Sequence, residues 1–309
     1  MHKFASIDLG TNTCNILIAE YKNNELKSIL TQKRAIMLLK GMKNSKFIQN
    51  EAINRLKDVI NEYSGLIHIH QVDTIIANAT SGIRSANNGL QIIDEIKQTN
   101  NIEFNIIDGD TEAFLIHKAV KNAITTCQGK MLLLDIGGGS NEFVIFENDN
   151  IIWKQSFNLG ISRTLNQFKL NDPLSNNNLE PVLSFFEDNL SELFEELKNH
   201  KIEALVGSSG TFETLSNIIK NNIKKDYETK TCISISLSEF DFIFKMMMSL
   251  NLEQRLKVKG MDVLRVELMP LASLFVNFIL NKTGITKIIH SEYSIKEGAI
   301  FNFIEQNLE

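Results

Sequence analysis

Apolar positions alternate between two periodicities along this chain. Residues 3–9, 13–21 and 26–33 read as three strands. In the second, Cys14, Ile16 and Ile18 alternate with Asn15, Leu17 and Ala19, so both faces are mostly apolar, as in a sheet covered on both sides. From Gln49 to about Leu66 the positions Ala52, Ile53, Leu56, Val59, Ile60 and Tyr63 recur at helical spacing. A strand at 73–77, a polar turn through Arg84, a helix at 88–99, a strand at 102–107 and a helix at 111–124 complete a first set. The plan then restarts with strands at 130–136, 141–147 and 151–158 and helices at 161–168 and 179–199, Pro181 suiting a first turn. A strand at 203–206 runs through a Gly/Ser turn into a helix ending near Asn221. Ser238, Leu252 and Asp262 begin or interrupt later helical stretches, and 287–290 is a short strand. A last helix from about Glu297 is long enough to return to the first set. Alternating strands and helices of this kind require sheets with helices packed on them, an α/β fold.

The restart is also visible in detail. Phe4-Ala5-Ser6-Ile7-Asp8-Leu9-Gly10-Thr11-Asn12-Thr13 and Leu132-Leu133-Leu134-Asp135-Ile136-Gly137-Gly138-Gly139-Ser140 each run from an apolar strand through an aspartate into a turn of small residues. Two related domains are therefore expected, 1–125 joined by the C-terminal helix 297–309, and 126–296, facing each other across a phosphate-holding cleft. No proline-rich or low-complexity stretch marks a flexible tether, so the boundary near 125–129 reads as a short crossover.

Composition narrows the classes. A chain of 309 residues has room for about two domains, and 43% hydrophobic with 22% charged residues is ordinary for a globular protein. The longest apolar run, from Leu271 to Leu280, is too short to span a bilayer, and the N-terminus lacks a signal layout. Cys14, Cys127 and Cys232 are odd in number and far apart, as expected of reduced thiols, so the cytoplasm is the expected compartment. A net charge of −5 without a basic run argues against a nucleic-acid-coating surface and leaves a small phosphorylated ligand.

The candidate chemistry sits at strand ends. Asp135 closes an apolar strand, where a carboxylate needs hydrogen bonds or a cation. Gly137-Gly138-Gly139 lets successive amides form an anion-binding concavity, and a divalent ion by Asp135 would bridge to phosphate oxygens. The plainer alternative is a hairpin whose aspartate caps its own turn; two such turns in corresponding places favour the ligand reading. Glu142 enters its strand at the mouth of an apolar row, as a second metal group or a solvated strand end. Gly207-Ser208-Ser209-Gly210-Thr211 joins a strand to a helix, where amides hold anions, and Gly10, Thr11, Asn12 and Thr13 form a similar turn with side-chain donors. Arg84 is either a solvated loop arginine or a phosphate clamp. Glu112, in a first helical turn, is either a cap or a general base. His68 and His70 lack a third zinc ligand and receive no role.

In this order, the motifs resemble the exopolyphosphatase/guanosine pentaphosphate phosphatase (Ppx/GppA) family of the actin-like superfamily. The resemblance runs from Ile7-Asp8-Leu9-Gly10-Thr11-Asn12-Thr13 through Ala79-Thr80-Ser81-Gly82-Ile83-Arg84, Glu112-Ala113, Asp135-Ile136-Gly137-Gly138-Gly139-Ser140-Asn141-Glu142, Leu159-Gly160, the 207–211 turn and Arg265 to Lys296-Glu297-Gly298. It implies two ribonuclease-H-like domains with an interdomain cleft and Mg²⁺-dependent hydrolysis of terminal phosphoanhydrides. By resemblance Glu112 matches the catalytic base, Asp135 and Glu142 the metal-associated acids, Arg84 a phosphate-binding arginine, and the three turns the phosphate loops; Asp8 joins the acids as the first repeat's counterpart of Asp135. Ser140 belongs to the second loop. The expected partner is a phosphoanhydride small molecule or polyphosphate, with no nucleic acid and no membrane, and a homodimer is the assembly to test. The chain departs from the family pattern at Thr111 and Phe114, where Glu and Arg are frequent, and at Lys296, which keeps the charge of an arginine but lacks its fork. A guanosine polyphosphate sensor without turnover and a small-molecule kinase of the same superfamily are the rival expectations.

Overall fold

A computed structural model describes residues 2–40, 46–124, 128–222 and 231–308; Cys127 lies outside them. The first half of the chain forms β1 (His2–Leu9), β2 (Thr13–Lys22), β3 (Glu25–Ala35), α1 (Asn50–His70), β4 (Thr74–Ala79), α2 (Ser81–Arg84), α3 (Gly89–Asn100), β5 (Phe104–Ile106) and α4 (Gly109–Ala123). The second half forms β6 (Lys130–Ile136), β7 (Asn141–Glu147), β8 (Asn150–Phe157), α5 (Ile161–Gln167), α6 (Glu180–Asn189), α7 (Ser191–Leu197), β9 (Ile202–Ser208), α8 (Ser209–Asn222) and β10 (Cys232–Ser236). There follow α9 (Leu237–Ser249), α10 (Leu252–Arg255), α11 (Met269–Thr283), β11 (Lys287–Ser291) and α12 (Ile295–Asn307).

The chain divides into two compact units, one of Met1–Ala119 with Ile295–Glu309, the other of Val120–Ser294. These cuts fall a few residues before the 125/126 and 296/297 boundaries read from the sequence, the first of them inside α4. The first unit holds a five-stranded sheet in the order β3-β2-β1-β4-β5, the second a six-stranded sheet in the order β10-β11-β9-β6-β7-β8. In each, an antiparallel three-strand meander (β1–β3, β6–β8) is extended by a parallel strand beside its first member. The repeated sequence pattern is thus a repeated topology.

Both faces of the first sheet are covered, as the β2 pattern requires. Ala5, Ile7, Leu9, Cys14, Ile16 and Ile18 pack on one side with Leu56, Ile60 and Tyr63 of α1. Phe4, Leu17 and Ala19 pack on the other with Ile300 and Ile304 of α12. The second unit's core centres on Phe143, Phe186 and Phe275, whose rings meet edge to face. Its α11 is apolar nearly all round and correspondingly buried. Among the described residues no helix is long and apolar enough to cross a membrane.

Several elements differ from the sequence reading. The single helix expected over 179–199 breaks at Leu190, between α6 and α7. The Asn189 side chain donates to the Phe185 carbonyl, competing for the helix's own acceptor, and the break lets both Leu190 and Leu193 enter the core. Strand β10 was not expected, although Ile233 and Ile235 alternate inward along it. Arg84 ends the one-turn helix α2 rather than standing in a loop, and His68 and His70 lie in the last turn of α1.

One buried hydroxyl ties a helix to the sheet. Tyr63 of α1 donates to the Cys14 carbonyl at 2.8 Å, and burial pushes its phenol well above the ordinary range. A proton held more tightly in the folded state stabilises the fold below the unfolded phenol's pKa of about 10, and that stability is lost as pH rises beyond it. Tyr63→Phe should therefore cost about 1 kcal/mol at neutral pH and flatten the alkaline loss of stability in denaturant titrations.

Candidate functional site

A polar row crosses each sheet at the same place. In the second unit Ser208 (β9), Asp135 (β6), Glu142 (β7) and Ser156 (β8) are successive register partners, so their side chains share one face. Asp135 and Glu142 are 5% and 2% exposed and stand directly opposite each other in the β6–β7 register. Like charges in that relation destabilise a sheet unless a positive charge joins them. Ser209 donates to Asp135 Oδ2 at 2.6 Å, and Ser156 to Glu142 Oε1 at 2.7 Å.

The first unit's row reads Lys33 (β3), Asn15 (β2), Asp8 (β1), Asn78 (β4) and Asn105 (β5). Here a single carboxylate is flanked by amides, and Asn15 Nδ2 donates to Asp8 Oδ2 at 3.0 Å. The two aspartates that look alike in sequence therefore sit in rows of different charge. A cation has more to stabilise in the second row.

Beside each row lies a small-residue turn of the same form. Gly137 N donates to the Ser140 carbonyl at 3.1 Å, and Gly10 N to the Thr13 carbonyl at 3.0 Å. In the second unit the carbonyls of Gly137 and Gly138 accept from the amides of Ile161 and Arg163 at the start of α5, and the Gly139 carbonyl accepts from Arg163 Nε. All three carbonyls are thereby turned to α5, and the amides of Gly138 and Gly139 have no protein acceptor among the described residues. That is the polarity an anion-binding turn needs. The close docking depends on Gly160, where a Cβ would lie 2.3 Å from the Gly139 nitrogen. In the first unit the Thr11 carbonyl accepts from Leu38 N, and the Asn12 carbonyl from Ile36 N and Met37 N. Thr11, Thr13 and Ser140 are buried, and Gly82 of α2 packs on Thr11.

The third turn is divided in its duties. Gly207 makes room for the Phe212 ring, which a Cβ would meet at 2.0 Å, and Gly210 underlies the Arg265 guanidinium. The Ser208 hydroxyl donates to the Tyr293 carbonyl at 3.2 Å, while that of Ser209 goes to Asp135. Thr211 is buried at the start of α8.

Glu112 and Arg84 form one group. The Asp108 carboxylate accepts from Thr111 N at 2.7 Å and so caps α4, relieving Glu112 of the capping role that its position in the first turn suggests. The Glu112 side chain, on a residue 8% exposed, instead meets Arg84 Nη1 at 3.1 Å through Oε2. The same Nη1 donates to the Ile107 carbonyl at 2.7 Å. Phe114, one of the departures from the family pattern, lies under the Lys118 ammonium at 5.4 Å, so a positive charge stands one helical turn further on.

Sequence reasoning missed Ser156, Arg163 and Asp108. Counting back through two hairpins from Asp135 would have placed Ser156 in the row; Arg163 and Asp108 depend on how α5 and α4 dock. Among the described residues no group of three or more His, Cys, Asp or Glu gathers as a metal cage. A two-carboxylate site with hydroxyl support suits Mg²⁺, which binds through one or two carboxylates and fills its octahedron with water and substrate phosphate.

Comparison with known proteins gives a consistent picture. Residues 17–307 match the Ppx/GppA phosphatase family. The bifunctional 3-dehydroquinate synthase/phosphatase of Fusobacterium nucleatum is 30% identical over 97% of the chain, which spans 46% of that protein. A putative exopolyphosphatase of Haemophilus influenzae is 21% identical over 100% of the chain and 93% of its own length. A guanosine-5'-triphosphate,3'-diphosphate pyrophosphatase of Aliivibrio fischeri is 22% identical over 98% of the chain, which covers 59% of it. The crystal structure of an exopolyphosphatase from Cytophaga hutchinsonii superposes with a TM-score of 0.94 at 32% identity, covering 99% of this chain and 98% of that one. A Ppx/GppA family member from Aquifex aeolicus does so at 0.83 and 22% identity, covering 100% and 99%, which supports the fold of two actin-like, ribonuclease-H-like domains.

Proposed function

Because this chain belongs to the Ppx/GppA phosphatase family, we propose that it is a Mg²⁺-dependent phosphohydrolase that removes terminal phosphoryl groups from inorganic polyphosphate or a guanosine polyphosphate. The observation that carries this reading is the opposed, buried pair Asp135 and Glu142 beside a turn whose carbonyls are all drawn to one side. Asp135 and Glu142 would hold the cation. When bound, Mg²⁺ supplies positive charge against the phosphate oxygens, the main requirement of phosphoryl transfer.

The chain's own groups supply the rest. Glu112 accepts the proton of the attacking water, and its bond to Arg84 holds both in place. Arg84 has further donors in its planar fork with which to grip a phosphate. The amides of Gly138 and Gly139 hold the phosphoryl oxygens, and the turn of Gly10, Thr11, Asn12 and Thr13 serves the leaving chain. Asp8, with the Asn15 amide on it, is assigned to that cradle more than to the metal. This reading places the reaction in the cytoplasm.

The test is phosphate release from short and long polyphosphate, guanosine pentaphosphate and ATP, with and without Mg²⁺. Release from polyphosphate or guanosine pentaphosphate that requires Mg²⁺ is the expected result. Tight binding without turnover would replace the reading with a sensor, and transfer from ATP to an acceptor other than water would replace it with a kinase.

A further inference from the structure

Resting on the assignment of Asp135 and Glu142 to the cation, we propose that Ser209 and Ser156 are positioning residues for these two carboxylates. In sequence Ser209 belongs to the third phosphate loop, and Ser156 belongs to no motif. In the structure each hydroxyl donates to one oxygen of one acid, Ser209 to Asp135 Oδ2 at 2.6 Å and Ser156 to Glu142 Oε1 at 2.7 Å. The two bonds approach the pair from opposite sides, Ser209 from the strand β9 flank and Ser156 from β8.

A carboxylate on a single-bonded stem can rotate. A short donor on one oxygen fixes that rotation and with it the direction of the other oxygen. A small hard cation with strict octahedral demands gains from such fixing, and partners of metal ligands are typically worth 10- to 100-fold in affinity.

The backbone of Ser209 makes the case specific. Its φ is +65°, in the left-handed region that a residue with a Cβ enters at a cost of about 1–2 kcal/mol and glycine enters freely. Glycine would thus be the easier residue at this position. What serine adds is a hydroxyl, and the bond it makes is to Asp135. The neighbouring Ser208 has a different partner, the Tyr293 carbonyl, so the bond to the acid belongs to Ser209 and not to the turn as a whole.

These opposing effects give a test that a structural role alone would not satisfy. Mn²⁺ is titrated into the full chain while the electron paramagnetic resonance signal of free Mn²⁺ is followed, with Mg²⁺ as competitor; thermal unfolding is recorded without metal. Ser209→Gly should melt at or above the wild-type temperature, because strain is relieved, yet bind Mn²⁺ roughly tenfold or more weakly. Ser156→Ala should weaken binding similarly, and Ser156→Thr, which keeps the hydroxyl, should restore affinity to within a few-fold. Wild-type affinity in both Ser209→Gly and Ser156→Ala would overturn the proposal while leaving the metal assignment standing. So would weakened binding that merely tracks lost stability. Failure of the wild-type chain to take up Mn²⁺ would remove the assignment of the carboxylate pair, and this inference with it.

Discussion

Glu112→Gln is expected to lower kcat by roughly 10²- to 10⁴-fold while KM stays within a few-fold of wild type. The substitution keeps the size of the side chain and an oxygen that accepts from Arg84 Nη1, so the arginine should stay where the 3.1 Å bond now holds it. What disappears is the group that takes a proton from water. Because Asp108 and not Glu112 caps α4, the helix should be unharmed and the melting temperature nearly unchanged. Steady-state phosphate release over a range of substrate concentrations, beside a melting curve, separates these effects. Turnover at the wild-type rate would remove Glu112 from its role as base. A raised KM at constant kcat would instead show that it serves substrate binding.

Asp135→Asn should produce two changes of opposite sign. Removing one of two like charges that face each other across β6 and β7 should stabilise the metal-free protein by about 0.2–1 kcal/mol, because the amide can donate to Glu142 where a carboxylate repelled it. The same change should abolish the rise in melting temperature expected with Mg²⁺ and lower kcat/KM by roughly a hundredfold or more, a loss of the size found when groups that stabilise transition-state charge are removed. Denaturant unfolding without metal and phosphate release against Mg²⁺ concentration read the two effects independently. A variant that keeps the wild-type Mg²⁺ response would place the cation elsewhere. One that is destabilised without metal would show that Asp135 is held by the fold for structural reasons.

The strands and helices were legible where local pattern decides. The meanders β1–β3 and β6–β8 follow from alternation and small-residue turns, and the opposition of Asp135 and Glu142 follows from counting across the turn of Gly137, Gly138, Gly139 and Ser140. The break at Leu190 was hidden because every residue from 179 to 199 tolerates a helix at its position, and the Asn189 side chain on the Phe185 carbonyl together with the core's demand for both Leu190 and Leu193 interrupts it. Strand β10 is an edge strand whose two isoleucines alternate with Cys232, Ser234 and Ser236, a weaker signal than the adjacent Ile288 and Ile289 of β11. The Arg84–Glu112 pair joins residues far apart in sequence, and neither residue type carries a signal for the other. Ser209 shows the same limit in a different form. Its membership of a Gly/Ser turn was plain, but its conformation and its bond to an acid on a neighbouring strand arise only when β9 and β6 pair.

The first unit is assembled from two separate segments: α12 (Ile295–Asn307), in the second of them, lays Ile300 and Ile304 against Phe4, Leu17 and Ala19. On the ribosome this means that β1 and β2 are made long before the helix that finishes their face. Val120–Ser294 can close its own core while α12 is still untranslated, whereas the β1–β2 face keeps its apolar side bare until α12 emerges. A nascent chain halted before Ile295 would therefore carry a finished second unit beside an unsealed first one, an exposed patch of the kind that chaperones and proteases recognise.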